Sequence, residues 1–526
     1  MLIWLVLAPI LLFWTVVLIV YWKQDEIVQE LIATLNEDFV GEIEIKDSHI
    51  APFENFPYIS IDLEHVKVFE TKEDHEEPIL DIADVYVGFD FWTMISGNYD
   101  IKVIELKEGY IHAIQHEDGE LNISKALSPQ KEVEDMEEEL HIHLKSIELI
   151  DIDIYKLNEA NGLMVESFVD HGEIGFKSND EHVLASVDAE MEMNIISNGD
   201  TTFFKHKHLN VDAEVEYMKK SGMVLLGEST LELEHAKFGA VGQVDTKNDF
   251  DLDLKFHGEK ENFDLFMAFA PEELGPTLDQ YENAGKILLD VTVKGKSALG
   301  HFPYIRADFS CHDAHFTNTA SDKSVEKLDF DGYFTNNGSR KLKDMEFSMR
   351  DFSASPEAGS FEANLFVKDF ASPEIEMTLD SDFDLNWLSQ FINTTAIQDM
   401  HGKIQMHMKF HDIVDLSRPE RSIEKLNEAY YSEILIKDLG FKTSAYHLPL
   451  DDMDLRMTVE GHEAKIDYFD LKMGKTDLHV SGHVSDLPAI LHHTNDEIIA
   501  DLHIRSKQIN VEELTSFDPE NVEPVV

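Results

Sequence analysis

The sequence predicts a mainly β protein: an N-terminal transmembrane helix followed by an elongated, twisted, repetitive antiparallel β-sheet with a few short helices. Three observations support this prediction. The chain begins with a long uncharged apolar run, apolar residues then occupy every second position through most of the remainder, and one motif recurs about every 120 residues. Alternation with a period of two is typical of strands with one dry face.

The first element is the apolar run Leu2–Trp22, which carries no charged side chain. As a helix it would be about 31 Å long, enough to cross the hydrocarbon core of a bilayer. A cleavable signal peptide is the alternative, but the run is long for one and no small-x-small cleavage site precedes Lys23. We therefore predict that residues 1–23 are a single-pass anchor and that the remaining chain lies on the translocated side.

Residues 24–127 form the second predicted segment, which begins with a helix over Gln24–Asn36. Its apolar residues fall on one helical stripe and should cover the first strands of the sheet. A helix lying in the membrane interface is the alternative, although the acidic residues and the scarcity of basic ones disfavour it. Alternating strands follow at Ile59, Ile61 and Leu63 and at Val85, Val87 and Phe89.

The order of short features in this segment resembles the N-terminal module of the AsmA family of bacterial envelope proteins. The features are Phe53, Pro57, the pair Ala83-Asp84, Gly97 and the turn Asp118-Gly119-Glu120-Leu121-Asn122. The resemblance implies a groove-like sheet in an inner-membrane protein whose bulk lies in the periplasm. It further implies phospholipid transport between envelope membranes, support of outer-membrane homeostasis, and no catalytic residues.

The remaining chain divides into an acidic loop and three β-repeat regions. The motif Asn262–Leu265 returns as Asp382–Leu385 and Gln508–Val511, each time between a strand and a short helix-like segment. The third copy lacks the strand that follows the other two, so we expect that the protein or a partner continues the sheet. The predicted boundaries are residues 128–139 for the loop and residues 140–300, 301–420 and 421–526 for the repeat regions, the last apparently incomplete.

Composition and motifs argue against several functions. The formal charge of −61 would repel phosphate backbones, so we expect no nucleic-acid partner. The single cysteine, Cys311, permits no intrachain disulfide and is expected to be a small buried strand residue. The pairs His141/His143 and His206/His208 lack a third ligand, and no catalytic or phosphate-binding motif is present. We predict neither an enzyme, nor a cofactor, nor a metal site.

The strongest signal is the apolar face itself, since the predicted helices are too few to cover it. Acyl chains of phospholipid could fill a groove on this face, and methionine suits a surface that accepts tails of varying shape. The alternative is a sheet packed on itself, acting as a non-enzymatic envelope scaffold or regulator of outer-membrane protein assembly. The candidate groove residues are Ile59, Ile61, Leu63, Val85, Val87, Phe89, Ile150, Ile152, Ile154, Leu252, Leu254, Phe256, Ile287, Leu289, Val291, Met406, Met408, Phe410, Met453, Leu455 and Met457.

Overall fold

A computed structural model describes the chain in stretches. The predicted anchor at residues 2–22 lies outside the described residues, apart from Leu18, Tyr21 and Trp22, which are helical and exposed. Within the described part, no helix is long and apolar enough to cross a membrane. The described residues are 18, 21–22, 28–29, 32–33, 35–73, 77–90, 93, 100–117, 119–130, 142–159, 162–197, 200–201, 204–270, 275–297, 301–357, 359–392, 397–411, 430–443, 448–486 and 497–514.

The chain is mainly β, as predicted, and separates into two compact units. Unit 1 comprises residues 1–256, 267–272 and 295–301, and unit 2 comprises residues 257–266, 273–294 and 302–526. The strands that begin in unit 1 are β1 (Glu42–Glu44), β2 (Asp47–Ala51), β3 (Ile59–Phe69), β4 (Leu80–Phe89), β5 (Ile101–Gln115), β6 (Ile142–Asn158), β7 (Leu163–Ser178), β8 (His182–Ser197), β9 (Asp200–Thr201), β10 (Lys207–Met218), β11 (Met223–Leu233), β12 (Ala236–Asp245) and β13 (Asp251–Lys260).

Unit 1 is built by pairing consecutive strands, with one departure from the predicted topology. From β3 to β8, and onward through β10 to β12, every pairing is antiparallel except that between β5 and β6, which is parallel. The expectation of a purely antiparallel sheet is therefore wrong at this point. Parallel neighbours need a long crossover connection, and residues 116–141 supply it.

Val28 and Ile32, two described residues of the predicted helix over Gln24–Asn36, pack against the first strands. Val28 is buried and Ile32 partly buried against a core formed by β3, β4, β5 and β6. The short helix α1 (Asn122–Ala126) is fixed to β5 by the buried Asn122. Its Oδ1 accepts hydrogen bonds from the N–H groups of Ile114 (2.9 Å) and Ile123 (2.8 Å), and its Nδ2 donates to the carbonyl of His112 (2.8 Å). The asparagine of the family-like turn thus satisfies three backbone groups.

Unit 2 is a run of consecutive antiparallel strands, each paired with the next from β14 to β25. Its strands are β14 (Tyr281–Lys296), β15 (Tyr304–Asn318), β16 (Lys323–Thr335), β17 (Glu346–Pro356), β18 (Gly359–Lys368), β19 (Glu374–Asp384), β20 (Ile397–His411), β21 (Tyr430–Thr443), β22 (Leu450–Glu460), β23 (Glu463–Met473), β24 (Thr476–Ser485) and β25 (Ala500–Arg505).

Helices begin within or directly after each copy of the repeated motif, which confirms that part of the prediction. They are α2 (Asp264–Met267), α4 (Leu385–Ile392) and α5 (Val511–Leu514), and unit 2 also contains α3 (Gly275–Leu278) and a 3₁₀ turn at Leu342–Asp344. At α5, Asn510 Oδ1 accepts the N–H of Glu512, whereas the Glu513 carboxylate accepts the N–H groups of Lys475 and Thr476. Glu513 therefore ties α5 to the turn between β23 and β24.

Many strands are interrupted by a bulge whose central residue has positive φ. Asp151 in β6, Asp313 in β15, Asp351 in β17 and Asp438 in β21 all have φ between 49° and 55°. Aspartate tolerates this left-handed conformation better than most residues, and a bulge bends the strand and increases its twist. The same interruptions change the phase of side-chain alternation along a strand.

Candidate functional site

The apolar face of unit 1 is defined by cross-strand rows, because residues paired directly across a sheet point to the same side. Two such rows cross at least seven strands without a charged side chain. One runs Leu63–Val85–Leu106–Leu149–Gly172–Ala189–Val211–Leu231–Phe238, and the other Ile61–Val87–Ile104–Ile147–Ile174–Val187–Ala213. The alternation read from sequence thus corresponds to one continuous apolar face.

Accessibility differs along this face. The six candidates on β3 and β4, from Ile59 to Phe89, are fully buried in the core that Val28 helps to cover, and so is Ile152. Ile154 packs against the same core. Ile150 instead pairs with Lys107 on the opposite face, because the bulge at Asp151 shifts the alternation by one residue. On β13, the candidates Leu252, Leu254 and Phe256 are half-buried.

The apolar face of unit 2 is defined in the same way and contains all nine candidates predicted there. One row runs Leu289–Phe309–Gly332–Met349–Leu365–Met377–Phe410–Tyr430, and a second runs Phe361–Ser381–Met406–Ile434–Met457–Ile466–Gly482–Leu502. Ile287 and Leu289 are buried, whereas Val291, Met406, Met408, Phe410, Met453, Leu455 and Met457 are half-buried.

Phenylalanines that the sequence analysis did not single out form a large part of the same face. Phe309 packs on Phe330 and Phe347, and Phe330 packs on Phe352, with ring centroids 5.8 to 6.2 Å apart. Phe266 at α2 contacts both Phe309 and Phe330 at 6.0 Å. Their position at alternate places within strands was a usable signal, since Phe347 and Met349 follow the same period as the chosen residues.

In the described part of unit 2, α2 and α4 cover part of this face. At α2, Leu265 is buried, and Phe263 packs on Phe316 with centroids 4.4 Å apart. At α4, the carbonyl of Phe391 accepts hydrogen bonds from Tyr281 Oη (3.0 Å) and Asn318 Nδ2 (2.9 Å). α4 also lies against β20, which carries Met406 and Met408, whereas no helix of the described residues has comparable contacts with β21 to β23.

The opposite face is polar and strongly acidic. Glu105, Glu148, Glu173, Asp188 and Asp212 follow one another across five paired strands of unit 1. Histidines on this face pair with carboxylates rather than with one another. His206 Nδ1 lies 2.5 Å from Glu192, and His208 Nδ1 lies 3.6 Å from Glu234, while the side chains of His141 and His143 fall outside the described residues. In the described pair, each histidine therefore has its own carboxylate partner.

Asp438, Asp452 and Asp454 are the described residues whose ligand atoms come closest to a metal-binding arrangement, lying within 4.8 Å of one another. The N–H of Asp438 already donates to Asp454 Oδ1 at 2.8 Å. Exposed carboxylates often approach one another in so acidic a chain, and nothing else at this position points to a cation.

Asp62 and Cys311 are buried titratable groups with strongly shifted pKa values. Burial, with smaller contributions from neighbouring carboxylates, raises the pKa of Asp62 to about 6 against the opposing effect of His49. Burial also raises the pKa of the Cys311 thiol to about 12. Cys311 is fully buried in β15, which confirms the prediction of a small buried strand residue.

Fold and site together define a class: mainly β units, each with a continuous apolar face. No protein-family model, no curated protein and no solved structure matches the chain.

Proposed function

We propose that this protein is an AsmA-like, membrane-anchored carrier of phospholipid. Residues 2–22 would hold it in the inner membrane, the two units would lie in the periplasm, and lipid tails would move along the apolar faces toward the outer membrane. The role is passive and non-enzymatic, supporting outer-membrane homeostasis. The proposal rests on the N-terminal resemblance together with the half-buried apolar face of unit 2.

That face is the observation that carries the proposal. In a sheet packed on a second layer, the row from Phe309 to Tyr430 would be sealed from solvent, but Met349, Leu365, Met377 and Phe410 remain half-buried. The row crosses eight strands, which at the usual strand spacing amounts to about 34 Å of apolar surface. Each methylene of an acyl chain buried there would contribute about 0.8 kcal/mol.

The six sealed candidates on β3 and β4 take a different part in this proposal. Because they already pack against Val28 and Ile32, they stabilise the module next to the anchor and do not contact lipid. The lipid-contacting set therefore consists of the half-buried residues, chiefly those on β20 and β22. Methionines there can repack around tails of different shape, since their side chains are unbranched and flexible.

The test is native mass spectrometry with lipid extraction on the full chain, expressed in a bacterial envelope and exchanged out of detergent. We expect bound phospholipid in the unmodified protein and loss of most of it in Met406→Glu, which places a charge within the apolar row. Thr378→Glu is the matched control, because it adds the same charge on the polar face, directly opposite Lys409.

Two results would contradict the proposal. A folded protein that carries no lipid would favour the envelope-scaffold alternative, in which the apolar faces bury one another or a protein partner. Equal lipid content in Met406→Glu and Thr378→Glu, with both variants folded by circular dichroism, would show that the apolar row is not where lipid binds.

A further inference from the structure

The last described strand of unit 2, β25 (Ala500–Arg505), has an open edge. It pairs with β24 on one side, and no other strand of the described residues is paired with it. Five of its six residues are exposed, and Leu502 is half-buried. An edge of this kind presents backbone N–H and C=O groups to which a further strand can bind.

The direction of these backbone groups follows from the pairing with β24. The N–H of Ser485 donates to the carbonyl of Ile499 at 2.8 Å, and the same register continues without a shift to Arg505. In an antiparallel ladder the backbone groups of successive residues point to alternate sides. Counted from Ile499 in steps of two, the odd-numbered residues therefore bond to β24, and the backbone groups of Leu502 and Ile504 face the open edge.

The side chains of β25 alternate between the two faces of the sheet. Leu502 lies opposite Gly482 in the apolar row described above, and Ile504, two residues on, shares that face and is 58% exposed. Asp501 and Arg505 lie on the other face and are exposed. Within the described part of the chain, neither of these two charged groups has an ion-pair partner.

This short sequence is complementary to itself about His503. When two copies of β25 lie antiparallel with their His503 residues face to face, Asp501 of each copy is opposite Arg505 of the other. Leu502 is then opposite Ile504, and their outward backbone groups form about four hydrogen bonds between the copies. A register shifted by one residue would oppose Leu502 to His503, and a shift by two would oppose His503 to one of the charged residues, so the centred register alone joins the two opposite charges.

We propose that the open edge of β25 binds a second copy of this chain, through antiparallel pairing of the two β25 strands about a two-fold axis at His503. The axis is perpendicular to the sheet, so the apolar faces of both copies of unit 2 lie on the same side and meet at Leu502 and Ile504. One strand pair buries less than the roughly 1,200 Å² of stable interfaces, so the dimer is weak and depends on concentration. This inference goes beyond the proposed function and does not require lipid binding.

Disulfide trapping in the full chain tests the register. Facing residues that do not bond to each other through their backbones have Cα atoms about 4.5 Å apart, which suits a disulfide. His503→Cys should therefore yield a species of doubled mass on a non-reducing gel, and reduction should remove it. Asp501→Cys is the matched control, because its two copies would be about 13 Å apart along the strands. The native Cys311 is buried and should not contribute.

Charge reversal tests the pairing at equilibrium, with the dimer measured by sedimentation velocity of the full chain in detergent. Asp501→Arg should weaken dimerisation roughly tenfold, because two exposed ion pairs become two repulsive contacts. Arg505→Asp should have the same effect, and the two substitutions together should restore the dimer. Both side chains are exposed, so each variant should keep the fold, which circular dichroism checks.

The outcomes distinguish the second copy from other occupants of this edge. Equal trapping of His503→Cys and Asp501→Cys, or dimerisation that charge reversal leaves unchanged, overturns the proposed pairing. A disulfide from His503→Cys to a different protein shows that a foreign strand binds the edge and overturns the second copy. A monomer in which the β25 amides are protected from hydrogen exchange shows that the same chain covers the edge, which also overturns the proposal. None of these results bears on lipid carriage, which is measured separately.

Discussion

The buried carboxylate of Asp62 should make the stability of unit 1 fall as pH rises. Its side chain is only 3% exposed, and Oδ1 has no hydrogen-bond partner. Oδ2 lies 3.0 Å from His49 Nε2. Burial raises the pKa of this carboxyl from 3.8 to about 6 despite the histidine. In the folded protein Asp62 therefore holds its proton to a higher pH than in the unfolded chain.

The sign and size follow from proton linkage. Between about pH 4 and pH 6 the folded state binds more protons at this site, so the free energy of unfolding decreases with rising pH. A shift from 3.8 to about 6 corresponds to a total of about 3 kcal/mol, at about 1.4 kcal/mol per unit. This decrease in the free energy of unfolding begins near pH 4 and is complete above about pH 6.

Hydrogen exchange followed by mass spectrometry is the suitable assay, because it reports opening free energies for β3 and β4 peptides separately in a chain with two units. Asp62→Asn removes the titrating group, so the opening free energy of the variant should lack this pH dependence. Relative to the unmodified protein, the variant should therefore gain about 3 kcal/mol in opening free energy between pH 4 and pH 7. A difference in opening free energy that does not change with pH would refute the reasoning. So would a difference that changes with pH in the opposite direction, since that would mean that the pairing with His49 controls the titration of Asp62.

Four further changes test the fold. Asn122→Ala should lower the opening free energy of β5 peptides by about 3 kcal/mol, since three backbone hydrogen bonds are lost. Gly332→Ala would place a Cβ 2.4 Å from the Phe309 ring and should destabilise unit 2 by about 1–3 kcal/mol in urea denaturation, whereas Gly275→Ala, with nothing within 4 Å, should not. Asp151→Val should lower the melting temperature and Asp151→Gly should preserve it, because φ is 55°. Iodoacetamide should alkylate Cys311 only after denaturation, since the thiol is buried and its pKa is raised to about 12.

The strands were predictable because one face of each is dry, and this imposes a period of two on the sequence. The same logic located α2, α4 and α5, where the period ends at a repeated polar motif. The order in which the strands pair could not be predicted in this way, because local alternation contains no information about which strands become neighbours. The parallel contact between β5 and β6 depends on a crossover of residues 116–141, whose composition predicted only turns and an acidic loop.

The candidate site was predictable as a face but not as a set of accessible residues. Ile150 follows the alternation of Ile152 and Ile154 in sequence, yet the bulge at Asp151 places it with Lys107. An aspartate inside an apolar strand is the local signal for such a bulge, and it was available. The sealing of Ile59 and Phe89 depends on contacts with Val28 from a distant helix, so it could not be deduced from the strands themselves.

The acidic row of unit 1 influences which of its two faces can be covered. Five carboxylates directly opposite one another, from Glu105 to Asp212, weaken their own sheet, because like charges on paired strands repel. The same row prevents a second sheet from stacking on that face, which leaves the apolar face as the surface available for burial. A chain so charged also repels anionic lipids in general.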